Sequence, residues 1–280
     1  MYKFTRAEVF GPSGFPVASA RFLLAEDVPA HSHDFLELAV VLAGSGAHIS
    51  RGGDSLLGPG SVVLVRPGQW HGYRGCQQLN VYNLYLGPEL AHRELSWLLD
   101  FPGLARFFLQ GGQLSDRLTP RRRADVTGWL EDLGARSAQQ FAASSIVSLG
   151  LVSCVLGEVA ETTSPENGTA QVMSKPVRDA LGAMDADLAH GWTIAELARL
   201  TNISGSHLQH SFTAQVGSPP MSWLTDVRAE RAAVLLIQTD LTTTEIGRQV
   251  GWSDASYASR RFRQAYGMSP REYRAKFRNL

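Results

Sequence analysis

The sequence predicts an α+β protein of two domains. An N-terminal antiparallel β-barrel with a helical segment comes first, and an all-α domain with two helix-turn-helix units follows. Three observations predict this. Short apolar runs broken by glycine fill residues 22–86, the pattern of many short strands at even spacing. The stretch ETTSPENGTA at 161–170 is polar, carries Pro and Gly and has no apolar period, so it reads as a linker. Beyond it, one combination of helix caps, turn and apolar stripe occurs twice. A chain of 280 residues is long enough for two ordinary domains. The division reads as 1–160 (barrel to about 88, helices about 89–160), a linker at 161–173, and 174–280.

In chain order, Phe35 to Leu42 is a strand candidate, Gly44-Ser45-Gly46 turns it, and Ala47 to Ser50 follows. Arg51-Gly52-Gly53-Asp54 reads as a hairpin turn. Ser61 to Val65 is a β-branched strand, Arg66-Pro67-Gly68 a turn, and Leu79 to Leu86 alternates between two faces. Glu89 to Gln110 has helical spacing broken by Pro102. Thr119 and Pro120 open a further helix as N-cap and first residue, with Val126, Trp129, Leu130 and Leu133 as its stripe. Arg121 to Arg123 reads as its solvated first turn. Another apolar helix spans about Gln140 to Val159. This helical pair either joins two subunits or covers the barrel.

Ser174 to Ala189 begins the second domain, with Val177, Leu181, Met184 and Leu188 in one stripe. Thr193-Ile194-Ala195-Glu196 is a capping box, and so is Thr242-Thr243-Thr244-Glu245. Each precedes a short helix, a turn (Thr201 to Ser204, and Gly251) and a second helix. In the later copy Ala258, Phe262, Ala265 and Tyr266 face a core, while Ser256, Arg260 and Arg263 face outward. Phe212 and Phe262, Gly217 and Gly267, Pro220 and Pro270, and Arg228 and Arg278 are each 50 apart; Glu196 and Glu245 are 49 apart, which places one added residue in the second turn. A short helix, a tight turn and a polar-faced helix form the pattern whose second helix enters the DNA major groove.

Formal net charge is zero, which argues against wholesale polyanion binding, and architectural DNA proteins are broadly basic. Residues 255–280 nevertheless hold seven Arg or Lys and one acid, Glu272, the local basic surface that phosphate contact requires. Cys76 and Cys154 show neither metal spacing nor a disulfide framework and read as small buried hydrophobes. The N-terminus has no apolar run of the signal-peptide kind and nothing reads as membrane-spanning, so a soluble cytoplasmic protein is expected.

With these residues in view, 174–280 resembles the DNA-binding domain of the AraC family of transcription regulators, and GWSDASYASRRFRQAYGMSPREYR is very close to that family's signature. The resemblance implies two helix-turn-helix units on one DNA face, joined by a helix at about Met221 to Gln238. By position, the base-reading candidates are Ser206, Gln209 and His210 in the first unit and Ala255, Ser256 and Arg260 in the second. Arg263 is placed on the DNA side, and Arg228, Arg231 and Arg278 on phosphates. Ala255 can offer only contact with a thymine methyl.

His31-x-His33-x-x-x-Glu37 with Gly44, then Gly60, Gly68 and His71, resembles the cupin barrel found in front of such domains. Arg66 stands where the second motif has proline, and Gly75 where it has asparagine. Three readings stay open for His31, His33, Glu37 and His71: a divalent metal set, the lining of a ligand site, or structural polar residues. ELSWLLDFPGLARFFL resembles the sugar-responsive branch, especially regulators responding to L-rhamnose. The resemblance implies a homodimer paired through the helices after the barrel, and a small-molecule effector, a sugar on this branch. It implies an activator working with RNA polymerase on double-stranded DNA, with no cofactor and no catalysis. The competing reading is a metal-dependent cupin enzyme, a dioxygenase or isomerase, tethered to DNA.

Overall fold

A computed structural model describes residues 6–10, 15–88, 90, 94–137, 142–163 and 173–277. The chain forms two compact units, one up to Ala170 and one from Gln171.

The first unit is a seven-stranded, wholly antiparallel sheet. Its strands are β1 (Val17–Leu24), β2 (Val28–Ser32), β3 (Leu36–Ser50), β4 (Gly53–Leu57), β5 (Val62–Val65), β6 (Trp70–Leu86) and β7 (Gly112–Gln113). The path is β1-β6-β3-β5-β7, with β2 on β6 and β4 on β3. β3 and β6 run the length of the unit and bend past each other, with register shifts between Val41 and Ala47. Those shifts correct the expected turn at Gly44 to Gly46. Gly44 sits at φ 76° inside one continuous strand, and a Cβ there would fall 2.0 Å from the Gln78 carbonyl oxygen, so a bulge is built on it. The hairpin after Ser50 and the turn at Arg66 to Gly68 form as expected.

Period-two alternation splits the sheet residues into two buried layers. Leu36, Leu38, Val40, Leu64, Leu84 and Leu86 face the helices. Ala39, Val41, Val63, Val65, Tyr73 and Val81 face the barrel interior. Glu37 and Asn83 fall in the interior set by the same parity, which is how a carboxylate enters an apolar barrel.

Among the described residues, several helical elements follow the sheet or flank it. α1 is Arg6–Phe10, a 3-10 turn covers Ser96–Asp100, and α2 is Pro102–Gln110. Pro102 therefore opens a helix instead of breaking one, since its missing N–H is unneeded at the first position. α3 is Pro120–Ser137 and α4 is Ala142–Thr163. Val126, Leu130 and Leu133 of α3 and Val152, Val155, Leu156 and Val159 of α4 are fully buried against the outer sheet layer. α4 runs three residues into the expected linker, and residues 164–172 lie outside the described ones.

Two further expectations are corrected. Arg122 is tied to Glu158 of α4 at 2.7 Å, so it is a strut between helices where a solvated turn was expected. Cys154 is exposed on α4, which corrects the expectation there, whereas Cys76 is half-buried and packs against the inner barrel layer. By length and composition Ser145–Thr163 could cross a bilayer (mean hydropathy 1.5), but its Val152 to Val159 face belongs to the domain core.

The second unit is all-α. Its helices are α5 (Lys175–Ala186), α6 (Ile194–Thr201), α7 (Gly205–Val216), α8 (Pro220–Gln238), α9 (Thr243–Gln249), α10 (Ala255–Tyr266) and α11 (Pro270–Phe277). Both capping boxes form reciprocally, Thr193 with Glu196 and Thr242 with Glu245. The hydrogen bonds from each threonine hold both glutamates below the usual carboxylate range. A third reciprocal cap, Ser269 with Glu272, opens α11 and was not recognised in the sequence. α7 and α10 both end on a left-handed glycine, Gly217 at φ 88° and Gly267 at φ 72°. The added residue shows as predicted. Left-handed Asn202 stands two residues before its N-cap Ser204, whereas Gly251 stands three before Asp254.

Candidate functional site

The outward faces of α7 and α10 carry the predicted readers. Leu208, Phe212 and Val216 bury one side of α7, which leaves Ser206, Gln209 and His210 exposed on the other. In α10, Ala258, Phe262, Ala265 and Tyr266 are buried, and Ala255, Ser256 and Arg260 are exposed. Ser204 and Asp254 cap the two helices by accepting from His207 N and Tyr257 N. The caps fix where each exposed face begins. Arg263 is exposed but lies 3.7 Å from Glu272, a neighbour on α11 that partly neutralises it. Arg261 lies 5.3 Å from the Tyr257 ring centroid and donates to its hydroxyl at 3.0 Å.

The arginines assigned to phosphates divide. Arg231 is exposed on α8. Arg278 lies outside the described residues. Arg228 departs from its expected role: its Nε donates to the Leu188 carbonyl at 2.7 Å and its Nη2 to the His190 carbonyl at 2.6 Å. A guanidinium committed to two backbone oxygens after α5 is a structural clamp. Burial also lowers its pKa from the ordinary value. In the later copy Arg274 does the same task, donating to the Leu236 carbonyl in the last turn of α8 and to the Thr239 and Leu241 carbonyls after it. Sequence spacing paired Arg228 with Arg278; the matching clamp is Arg274, because the partner loop sets the position and not the 50-residue offset.

In the barrel, the structure brings His31, His33, Glu37 and His71 together, all buried. His33 Nε2 lies 3.4 Å and His71 Nε2 4.0 Å from the same Glu37 Oε2. His33 Nδ1 is 2.9 Å from the Phe35 carbonyl, and Asn83 Nδ2 donates to Glu37 Oε1 at 3.0 Å. His31 instead turns its Nδ1 to the Pro29 carbonyl at 3.0 Å and lays its ring 4.2 Å from that of His71. The glycine and arginine that break the second cupin motif are both accounted for. Arg66 donates to the Phe108 and Leu109 carbonyls, closing the end of α2, and Gly75, at φ 62°, donates its N–H to Asp27 Oδ1 at 2.6 Å.

Sequence reasoning missed His48, Tyr73 and Asn83. His48 is buried, with its ring 5.6 Å from that of His71, and it stands opposite Tyr73 in the β3–β6 register. Strand parity from Glu37 could have found Asn83 once the register was known. A cleft opens onto this cluster, lined by His31, Glu37, Tyr73 and Asn83 among Phe22, Leu24, Val28 and Val81.

Burial sets the charge of these rings. It lowers His31 from the ordinary 6.5 and, with three neighbouring histidines, lowers His71 well below it. It lowers His48 to about 4, against the opposing pull of Glu37 and Asp54. His48 thus binds its proton more weakly when folded, so the unfolded chain takes up the extra proton between about pH 6.5 and 4. Its contribution to stability is full above pH 6.5 and is lost as pH falls toward 4, by up to roughly 3 kcal/mol. His31 and His71 act in the same direction. With a chelator present, the barrel should melt at a lower temperature at pH 5 than at pH 7, and His48→Gln should flatten that slope. A pH-independent melting temperature would remove the effect.

A family model described as an AraC-like ligand binding domain matches residues 24–149, from the end of β1 through α3 and into α4. A second, described as a helix-turn-helix domain, matches residues 197–276, from α6 to α11. The chain belongs to the AraC family. As a member it is a DNA-binding transcription regulator with a ligand-binding domain. It is 24% identical over 263 residues to a protein named HTH-type transcriptional activator RhaR of Mannheimia succiniciproducens, covering 94% of this chain and 92% of the relative. It is 28% identical over 243 residues to the arabinose operon regulatory protein of Escherichia coli, covering 85% and 80%. Among solved structures, ToxT of Vibrio cholerae superposes with a TM-score of 0.54 at 12% identity over 92% of this chain and 97% of that one. That likeness concerns the fold of this AraC-family regulator.

Proposed function

We propose that the chain is a cytoplasmic, sugar-responsive transcriptional activator without enzymatic activity, working as a homodimer with RNA polymerase on double-stranded DNA. The exposed faces of the two repeated units carry the DNA-binding part of this reading, with Gln209 and Arg260 as readers and Arg231 on phosphates. Relatives named as an activator and as an arabinose regulator support the direction of control and the effector class. The cleft has the composition a sugar needs: a carboxylate and an amide for hydroxyls, and aromatic and aliphatic walls for the carbon face. Ile146, 75% exposed, and Val147 beside it on α4 offer an apolar flank for pairing subunits. We propose a division into a first domain that ends with α4 at Thr163 and a second over 174–280, with the segment between them as linker.

Gln209→Ala and Arg260→Ala should each cost about 1–3 kcal/mol on the operator and relax preference at one base, since Gln addresses adenine and Arg guanine with two hydrogen bonds. Arg231→Ala should weaken every duplex alike and lower the salt slope by about one. Titration against operator and scrambled duplexes at several salt concentrations separates the two. Equal loss on both duplexes for Arg260→Ala would remove it as a reader. For the effector, a thermal-shift screen of sugars should find one that raises the melting temperature, as binding to the folded state alone must. A complete sugar panel without a shift would overturn the effector class.

A further inference from the structure

We propose that Arg261 is a phosphate grip on the second recognition helix and that Tyr257 is the residue that positions it. The proposal rests on the reading that the exposed face of α10 meets DNA, and adds a backbone contact to the readers assigned there.

Three observations carry it. The first is placement. α10 buries Ala258, Phe262, Ala265 and Tyr266. By helical period Arg260 then stands opposite the core, with Ser256 and Arg263 on one flank and Tyr257 and Arg261 on the other. A helix about 10–12 Å across fills a major groove about 12 Å wide, so its outermost residues meet base edges and its flanks meet the phosphates of the two strands. The second is charge. On the first flank Arg263 lies 3.7 Å from the Glu272 carboxylate. Arg261 bonds to neutral oxygens instead: its Nε donates to the Tyr257 hydroxyl at 3.0 Å and its Nη1 to Gln264 Oε1 at 3.2 Å. Among the described residues no carboxylate pairs with it, so its charge stays available to an anion. The third is order. An arginine gives up much of its rotamer freedom when it takes a phosphate. Here the guanidinium already sits 5.3 Å from the Tyr257 ring centroid, and the bond to the hydroxyl sets the direction of the fork. Folding of the domain has therefore met part of that cost.

The matching places 50 residues earlier hold His207 and Ser211, so the arginine–tyrosine pair has no counterpart in the first unit. The second unit begins its exposed face with Ala255, whose side chain neither donates nor accepts. A backbone contact adds affinity there without adding base readout.

The test measures DNA binding by the full chain at several salt concentrations, on a mixed-sequence duplex and on one selected from a random pool by the unsubstituted chain. Arg261→Ala should weaken both by the same factor, roughly three- to tenfold, and lower the salt slope by about one. Arg261→Lys should lose affinity yet keep the slope, since the charge stays and the fork is lost. Tyr257→Phe keeps the ring and should weaken binding in the parent chain but not in the Arg261→Ala chain, as expected of a residue that acts through the arginine. A salt slope unchanged by Arg261→Ala overturns the grip, whatever happens to the melting temperature. Equal losses from Tyr257→Phe with and without the arginine overturn the positioning role. A loss confined to the selected duplex makes Arg261 a reader of bases and overturns the proposal as well. Arg260→Ala tests the underlying reading separately. If it too changes nothing on either duplex, the outward face of α10 is not the DNA face; if it alone relaxes base preference, only the grip falls.

Discussion

Phe262→Ala should destabilise the second domain by about 3–5 kcal/mol, the range for truncating a fully buried phenylalanine. The ring has no exposed surface. It stacks on Tyr266 at 4.7 Å and meets Tyr273 edge-on at 5.2 Å, and Tyr273 in turn contacts Phe277 at 4.6 Å. The cavity would open where α10 seats on its neighbours, so the exposed face with Ser256 and Arg260 would lose its fixed orientation. Chemical denaturation of the full chain should show the loss in the helical transition, with the barrel transition unmoved. Operator binding should fall even though no DNA-facing side chain has changed. A destabilisation below about 1 kcal/mol would mean that this aromatic cluster is not the core of the second unit.

Gly251→Ala should cost about 2–5 kcal/mol, from a left-handed backbone and an overpacked contact together. Gly251 sits at φ 77° between α9 and α10. A Cβ there would stand 2.6 Å from the Ala189 carbonyl oxygen, 2.8 Å from that of Leu188 and 2.7 Å from Arg228 Nη2. The turn of the second helix-turn-helix unit therefore rests on the loop that Arg228 clamps beside the first. Arg228→Ala should weaken the same junction, lowering the domain's stability while leaving the salt slope of DNA binding unchanged. Stability and DNA affinity measured together test this. A Gly251→Ala domain as stable as the parent would show that the loop yields at no cost.

Much of the second domain was legible because its signals are local. A threonine three residues before a glutamate, a glycine after an apolar stripe and a repeat of both need only neighbours in sequence. The exposed faces of α7 and α10 follow from the buried ones by helical period alone. The role of Arg228 was not legible, since its carbonyl partners lie 38 and 40 residues away. The motif histidines could be named from spacing, yet their division could not. His31 turns its Nδ1 to the Pro29 carbonyl while its ring stays 4.2 Å from that of His71, and His48 approaches from β3 through strand register.

The sequence by itself determined the two-domain α+β architecture, the doubled helix-turn-helix unit and the residues gathered in the barrel, because periodicity, caps and glycine turns act within a few residues. Only the tertiary structure decided that Gly44 is a bulge and not a turn, that Arg228 is a clamp, and that His33 and His71 meet one oxygen of Glu37 while His31 turns to Pro29. Those outcomes depend on which distant strand or loop arrives opposite each residue, and pairing across tens of residues is set by packing of whole elements.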